Sequence, residues 1–285
     1  MPRTAVIVPS YNRPAALKAC LEALTTQTET DYEVIVVDDG SPEPLAPLGE
    51  GLDRVRIIRQ DNAGPAAARN RGAAEADAEF LAFTDDDCRP RADWLTQLRA
   101  AQGGVAERLV GGRVENGLPA NRYATASQDL CDFLYDWFNA DTGDMPFFTS
   151  NNIGCDAMRF HLLGGFDQTF PLAAAEDRDF GLRWREEGGA LAFAADAVID
   201  HFHPLTLRRY WRQHRNYGRG AHHLHGVLSA RGSDQPRREP LDFYLNLVAQ
   251  PLKKRGVAGL PGAALAALSQ AAMVSGYAYE ARRRA

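Results

Sequence analysis

Short apolar, β-branched runs alternate with amphipathic stretches along most of this chain. Residues 4–8 (Thr-Ala-Val-Ile-Val) predict a buried strand, closed by Pro9-Ser10-Tyr11-Asn12. Asn12 and Pro14 open a helix whose apolar face is Leu17, Leu21 and Leu24. Further strands are predicted at 33–37, 55–59 and 80–83, and a helix over 66–76 begins after Pro65. Strand, helix, strand in this order predicts parallel βαβ units with right-handed crossovers. The pattern then predicts a helix over 90–101 with Trp94, Leu95 and Leu98 inward, and a strand at 109–114. A helix over 124–139 follows, within an aromatic-rich stretch from 116 to 145, then a strand over 147–154. Gly164-Gly165-Phe166-Asp167 reads as a turn. A helix from about Glu176 stops at Gly188-Gly189, and strands follow at 190–194 and 198–199. Residues 205–220 predict a basic helix and 232–240 a linker.

Carboxylates follow two of the buried runs at once. Residues 80–83 lead into Asp85-Asp86-Asp87, and residues 33–37 into Asp38-Asp39-Gly40-Ser41. Adjacent carboxylates at the end of a buried strand repel one another and lose solvation. A divalent cation with oxygen ligands would neutralise them, and open α/β sheets bind ligands beyond the carboxyl ends of their strands. Asp85 and Asp87 are therefore candidate metal ligands facing a phosphate-bearing group; a solvated acidic turn is the alternative. Asp38-Asp39-Gly40 equally suits an ordinary turn. Arg69 or Asn70, on the helix after Pro65, is expected against the nucleotide end of such a site, or on solvated helix surface. His201, in Asp200-His201-Phe202-His203, is a metal ligand or a hydrogen-bonded residue.

Composition narrows the class. The chain has 285 residues, 45% of them hydrophobic, enough for one large or two modest domains. A net charge of −5 argues against a general nucleic-acid binder, and no nucleic-acid partner is expected. From 205 to 239, eight arginines stand against Asp234 and Glu239. That run is a solvated face, or a surface for pyrophosphate or membrane. His222, His223 and His225 cluster just after it. Cys20, Cys88, Cys131 and Cys155 show no framework spacing, and a strand-like run starts almost at once instead of a signal peptide. A reduced, cytoplasmic protein is expected, peripheral at most on the inner face of the cell membrane. Residues 257–279 are uncharged and flanked by Lys253-Lys254-Arg255 and Arg282-Arg283-Arg284. Their Ala, Gly, Ser and Pro content predicts a packed or interfacial helix that lies on a membrane or on the protein and does not span.

Six motifs in order resemble the family 2 glycosyltransferases of the GT-A fold. They are residues 6–13 (Val-Ile-Val-Pro-Ser-Tyr-Asn-Arg), 37–41 (Val-Asp-Asp-Gly-Ser), 62–70, the Asp-x-Asp at 85–87, Gly164-Gly165-Phe166-Asp167 and Glu176-Asp177. The resemblance covers residues 4–220. It implies an α/β class, a Rossmann-like, mostly parallel sheet flanked by helices with a helical C-terminal extension. It also implies a catalytic domain over 1–220 and an extension over 221–285. The implied reaction is inverting transfer from a nucleotide-sugar, UDP-linked by default, to a glycan, lipid-linked or small-molecule acceptor, assisted by Mn²⁺ or Mg²⁺. Nucleotide contacts are then expected from Pro9, Tyr11, Arg13, Asp38, Asp39, Arg69, Asp85 and Asp86, with Arg215 and Arg219 closing over the pyrophosphate. Metal ligands are expected at Asp85, Asp87, His201 and His203. The base is expected at Asp177 with Glu176 beside it, and acceptor contacts at Asn151, Asn152, Gly165 and Trp184. A nucleotide-sugar binder without turnover and a sugar nucleotidyltransferase are the alternatives. The former would lack the Asp-x-Asp or the base; the latter opens with a Gly-rich loop that Pro9-Ser10-Tyr11-Asn12 is not.

Overall fold

A computed structural model describes residues 3–139, 148–170, 174–233 and 239–284. Residue 147, the middle of the expected linker (234–238) and the end of the aromatic stretch lie outside the described residues. The chain forms two units. The first comprises 1–115, 144–169 and 176–202, the second 116–143, 170–175 and 203–285.

The first unit is built on an eight-stranded sheet. Strands β1 (Thr4–Ser10), β2 (Tyr32–Asp39), β3 (Val55–Gln60) and β4 (Phe80–Thr84) are parallel, in the order β3-β2-β1-β4. Helices α1 (Pro14–Leu24) and α2 (Pro65–Glu75) make the crossovers. All positions of β1 and β4 are buried, which accounts for continuous apolar runs in place of alternation. Beyond β4 the sheet continues through β7 (Asn152–Asp156), antiparallel to β4, then β6 (Arg108–Asn116), β8 (Ala190–His201) and β5 (Cys88–Pro90). Helix α3 (Trp94–Gln102) follows β5, α5 (Ala157–Leu162) follows β7, and α6 (Glu176–Glu186) precedes β8. Gly72 of α2 packs on Ile7 and Val37, where a Cβ would collide with the Ile7 side chain. That close approach seats the helix directly over β1 and β2.

Three expectations change. Residues 190–201 form one strand, not two, because β8 runs on through exposed Ala195 and Asp196. The three-residue β5 and the six-residue α5 went unforeseen, being too short to show a period. Residues 148–151 precede β7 without being strand.

The second unit is helical: α4 (Arg122–Asn139), α7 (Leu207–Arg231), α8 (Leu241–Arg255) and α9 (Leu260–Arg284). Helix α7 runs through Gly220, the expected domain boundary, to an αL cap at Gly232. Its glycines mark close contacts, not an end. A Cβ on Gly218 would strike the Met273 backbone, and one on Gly276 the Arg215 carbonyl. Helices α7 and α9 therefore cross backbone to backbone. Phe133, Trp137, Phe243 and Leu247 form a core between α4 and α8. Buried Asp129 is paired with Arg255. The stretch 241–283 contains an eighteen-residue window of mean hydropathy 1.5, long and apolar enough to cross a membrane by length and composition. Within the unit, however, α9 buries Ser269, Ala272 and Glu280.

Opposite outcomes are expected at two glycines of this unit. Gly276→Ala should lower stability by about 1–3 kcal/mol, since the methyl meets backbone that cannot rotate away. At Gly226 a Cβ meets nothing within 4 Å, so Gly226→Ala should raise stability by about 0.5–1 kcal/mol through helix propensity. Urea unfolding of the two variants checks both; equal effects would show that the crossing is loosely packed.

Candidate active site

The chemistry-bearing side chains of the first unit gather at the carboxyl ends of β1, β2 and β4. Register puts them there. Ile7 pairs with Phe83, so three residues on, the Ser10 hydroxyl meets Asp86 and donates to it at 2.6 Å. Asp38 pairs with Arg59 and Asp39 with Gln60 across β2 and β3. Their side chains meet as well, at 2.7 Å for Arg59–Asp38 and 2.8 Å for Gln60–Asp39.

These two carboxylates shape loops. Asp38 accepts from the Ser41 and Leu45 amides, and Asp39 from the Ala63 and Gly64 amides, each near 3 Å. Asp39 thus ties the entrance of α2 to the end of β2. Burial alone would raise Asp38, but its hydrogen bonds and Arg59 hold its carboxyl below the usual range. At the end of β1, Pro9 is buried and Tyr11 is exposed.

The acidic triplet divides by direction. Asp86 is fully buried and turned inward, held by Ser10 and by Arg13 at 2.6 Å. It braces the turn and presents no surface to a ligand, which corrects its expected place among the nucleotide contacts. Asp87 accepts from Arg13 at 2.7 Å and lies 3.3 Å from His201 Nε2. Asp85, partly open to solvent, accepts from Arg69 at 2.7 Å.

Arg69 is nearly fully buried and reaches Glu176 at 3.3 Å with its other terminal nitrogen. It therefore links the acidic triplet to the Glu176-Asp177 pair. The link exists because α2 and α6 grip one turn. Asn70 of α2 exchanges two hydrogen bonds with the Phe166 backbone, at 2.7 and 2.8 Å. Arg183 of α6 donates to the Leu163 and Gly165 carbonyls and to Asp179. Phe166 packs tilted against Phe180 at 4.8 Å and edge-to-face against Phe83 and Phe160 at 5.4 and 5.7 Å, and such pairs add about 0.5–1.5 kcal/mol each beyond burial. Ala175, immediately before the acidic pair, has φ 73°, a left-handed conformation that strains a residue with a Cβ. Glu176 is buried, with Oε2 unpartnered by hydrogen bonds. Asp177 is half-buried and accepts from the Arg178 amide at 2.8 Å and the Ser150 amide at 3.4 Å. Burial raises both carboxyls, and for Glu176 the Asp177 charge adds to it.

Not every expected residue joins this cluster. Trp184 is fully buried and donates its indole N–H to the Glu107 carbonyl, so it is core and not an acceptor surface. Asn152 is also buried: it accepts from Trp94 and donates to the Arg113 and Ala197 carbonyls, locking β6, β7 and β8 together. Asn151 accepts from Thr149, and Gly165 lies against Asn70 in the gripped turn. His203, Arg215 and Arg219 belong to the second unit. There His203 meets Gln213 at 2.9 Å, Arg215 stacks over Tyr279, and Arg219 pairs with Glu280 at 2.8 Å. Ser10, Arg59, Gln60 and Asn70 escaped notice as contacts of these acids and their turn. Each pairing spans from 21 to 96 residues of sequence.

The cluster suits a divalent cation. Asp85, Asp86, Asp87, Glu176 and Asp177 gather five carboxyls, with Arg13, Arg69, Arg178 and the His201 imidazole as cationic neighbours among the described residues. Burial, and the neighbouring Asp87 and Asp85 charges, push Asp86 up to about 7 despite Arg13 and Ser10. Asp87, Cys88 and His201 offer ligand atoms within 4.8 Å of one another. The buried Cys88 thiol is pushed far up by burial and stays protonated, so it is a poor ligand. What remains is carboxylate and imidazole, a donor set that fits Mn²⁺ or Mg²⁺. Burial pulls His201 down, but the hydrogen bond and charge of Asp87 outweigh it and raise its pKa overall.

Two outcomes follow from these electrostatics. Asp86 is raised in the fold, so the native state binds more protons than the unfolded chain. His201 is raised as well, and its stabilising protonation is lost as pH climbs through its folded value. Metal-free protein should therefore lose stability between about pH 5 and pH 7, and Asp86→Asn should flatten that slope in urea titrations. Separately, Arg69→Met should cost about 3 kcal/mol, the lower end for a broken buried ion pair because Asp85 is partly solvated. Glu176→Gln in the same chain should recover part of that loss, whereas additive losses would mean that the link carries no coupling.

Known proteins share the sequence pattern and the fold. A profile described as Glycosyl transferase family 2 matches residues 5–161. Glycosyltransferase AglE of Haloferax volcanii is 37% identical over 135 residues, 43% of this chain and 44% of that protein. The pre-mycofactocin glycosyltransferase of Mycobacterium tuberculosis is 31% identical over 229 residues, 76% of this chain and 46% of that protein. The chain thus spans less than half the length of these curated relatives. Among solved structures, the mannosyltransferase PcManGT of Pyrobaculum calidifontis, in complex with GDP-Man and Mn²⁺, aligns over 95% of this chain and 75% of its own. Its TM-score is 0.62 at 20% identity. GalNAc-T7 with UDP, GalNAc and Mn²⁺ aligns over 86% of this chain and 54% of its own, with TM-score 0.57 at 14% identity. The expected GT-A architecture is the one this chain adopts, and its sequence places it in family 2: the protein belongs to the family 2 glycosyltransferases.

Proposed function

We propose that the chain transfers a sugar from a nucleoside diphosphate sugar by a single inverting displacement, at the carboxyl ends of β1, β2 and β4 in the first unit. The observation that carries this reading is the Arg69 bridge, which puts an Asp-x-Asp and a separate acid pair into one site. Asp85, Asp87 and His201 would hold the divalent ion, which as a Lewis acid stabilises the charge developing on the departing diphosphate. Arg13 aligns Asp87 for that task, and the Ser10–Asp86 bond fixes the turn. Pro9, Tyr11 and the loops tied by Asp38 and Asp39 border the nucleoside. One fold neighbour holds GDP-Man and another UDP, so no base is preferred. Neither alternative weighed from the sequence is favoured, since the curated relatives are glycosyltransferases by name.

Asp177 is the base. It is the half-buried member of the acid pair, and neighbouring amides favour its ionised form. Glu176, committed to Arg69, positions the helix start. Asp177 Oδ takes the proton from the acceptor hydroxyl as the new glycosidic bond forms, and the bond to the diphosphate oxygen breaks on the opposite face.

Asp177→Asn keeps the shape and removes the basicity. Transfer should fall by about two to four orders of magnitude, with nucleotide binding unchanged by calorimetry. Near-normal transfer, parallel loss of nucleotide binding, or a product with the donor's configuration retained would overturn the assignment.

A further inference from the structure

Four arginines of the second unit gather where α7 and α9 cross. Arg215, Arg282 and Arg283 line a cavity of about 500 Å³ together with Ser275, Ala278 and Tyr279. Arg219 stands one turn from Arg215 on α7. The carboxylate that meets this group is Glu280, already engaged by Arg219 at 2.8 Å and 4.0 Å from Arg283. Arg215 and Arg282 have no carboxylate partner among the described residues. Unbalanced guanidinium groups lining one cavity repel one another, and an anion there relieves that repulsion.

The cavity is also built, not merely charged. Arg215 and Arg219 lie 4.4 and 5.3 Å from the Tyr279 ring centroid, so one aromatic ring orders both guanidinium groups. The Arg215 backbone is itself pinned against Gly276. A fork held in place loses less freedom on binding than a loose side chain. A single carboxylate can satisfy one such fork. Several forks and the Ser275 hydroxyl suit an anion with more oxygens and more charge, which is the chemistry of phosphate.

We propose that this cavity binds a phosphate-bearing ligand, a mono- or diphosphate ester. The inference does not rest on the donor site, since none of the lining residues belongs to the acidic cluster of the first unit. Two sources share this chemistry, a free phosphate compound and an anionic lipid headgroup. Val274 and Tyr277, exposed on α9 beside the lining residues, would suit the second.

The test is calorimetry on the full chain in EDTA, where the metal-free acidic site repels anions, with sodium pyrophosphate as probe. One-to-one binding is expected, weakened about tenfold or more in Arg215→Gln/Arg282→Gln and unchanged in Asp85→Asn. Co-sedimentation with phosphatidylcholine vesicles, with and without phosphatidic acid, separates the sources. Variant-sensitive retention only on phosphatidic acid assigns the headgroup, while pyrophosphate binding without such retention assigns a free phosphate compound. Absence of both, or retention of either in the double variant, overturns the proposal. So does full binding by Arg215→Lys/Arg282→Lys, because diffuse charge would then suffice. Circular dichroism of each variant establishes that the helices are intact.

Discussion

Electrostatic balance at the carboxyl ends of three strands governs the first unit. Asp85, Asp86 and Asp87 stand side by side where a buried strand ends, and none can be buried without a cation or a proton. Arg13 neutralises two of them from the start of α1, and Arg69 takes the third from α2. The two crossover helices are thereby fixed to the turn by charge as well as by apolar packing. At Asp86 burial outweighs Arg13 and Ser10 and, with the Asp87 and Asp85 charges, pushes the carboxyl up to about 7. A buried ion pair adds little net stability compared with an apolar one, so this arrangement serves placement more than folding.

Arg69 also joins two parts of the site, β4's end and α6's start, reaching Glu176 across 107 residues of the chain. The bridge could not form without the Gly164–Phe166 turn, which Asn70 and Arg183 hold from opposite sides. Phe83, Phe160, Phe166 and Phe180 pack beneath it. Aromatic area supplies the adhesion, and the hydrogen bonds select the one orientation that presents Glu176 and Asp177 to Arg69. The left-handed Ala175 is the local cost of that presentation.

The helical unit solves a different problem. Helices α7 and α9 approach until their backbones touch at Gly218 and Gly276, leaving little room for side chains between them. Arginines on this crossing are consequently displaced to its margin, where Tyr279 orders them. On α7, Gly218 and Gly220 both lie against neighbouring backbone, so the helix expected to end near Gly220 continues to Arg231: that contact outweighs their low helix propensity of about 1 kcal/mol each.

The sequence by itself determined the parallel core. The buried runs of β1, β2 and β4, the helix openings at Pro14 and Pro65 and the acids directly after the strands are all local patterns, and local patterns are readable because the side-chain period and cap chemistry are local. Only the tertiary structure decided which carboxylate faces where. Asp86 turns inward because register carries Ser10 to it, and His201 reaches Asp87 because the three-residue β5 pairs Cys88 with His201. Trp184 and Asn152 looked like surface contacts and are core, because their polar atoms find carbonyls and an indole far away in sequence. Arg215 and Arg219, expected over a pyrophosphate, belong to the second unit, where they meet Tyr279 and Glu280. A charged or polar residue carries no mark of its partner in its own neighbourhood; that choice is made by long-range pairing, where desolvation makes every unsatisfied group costly.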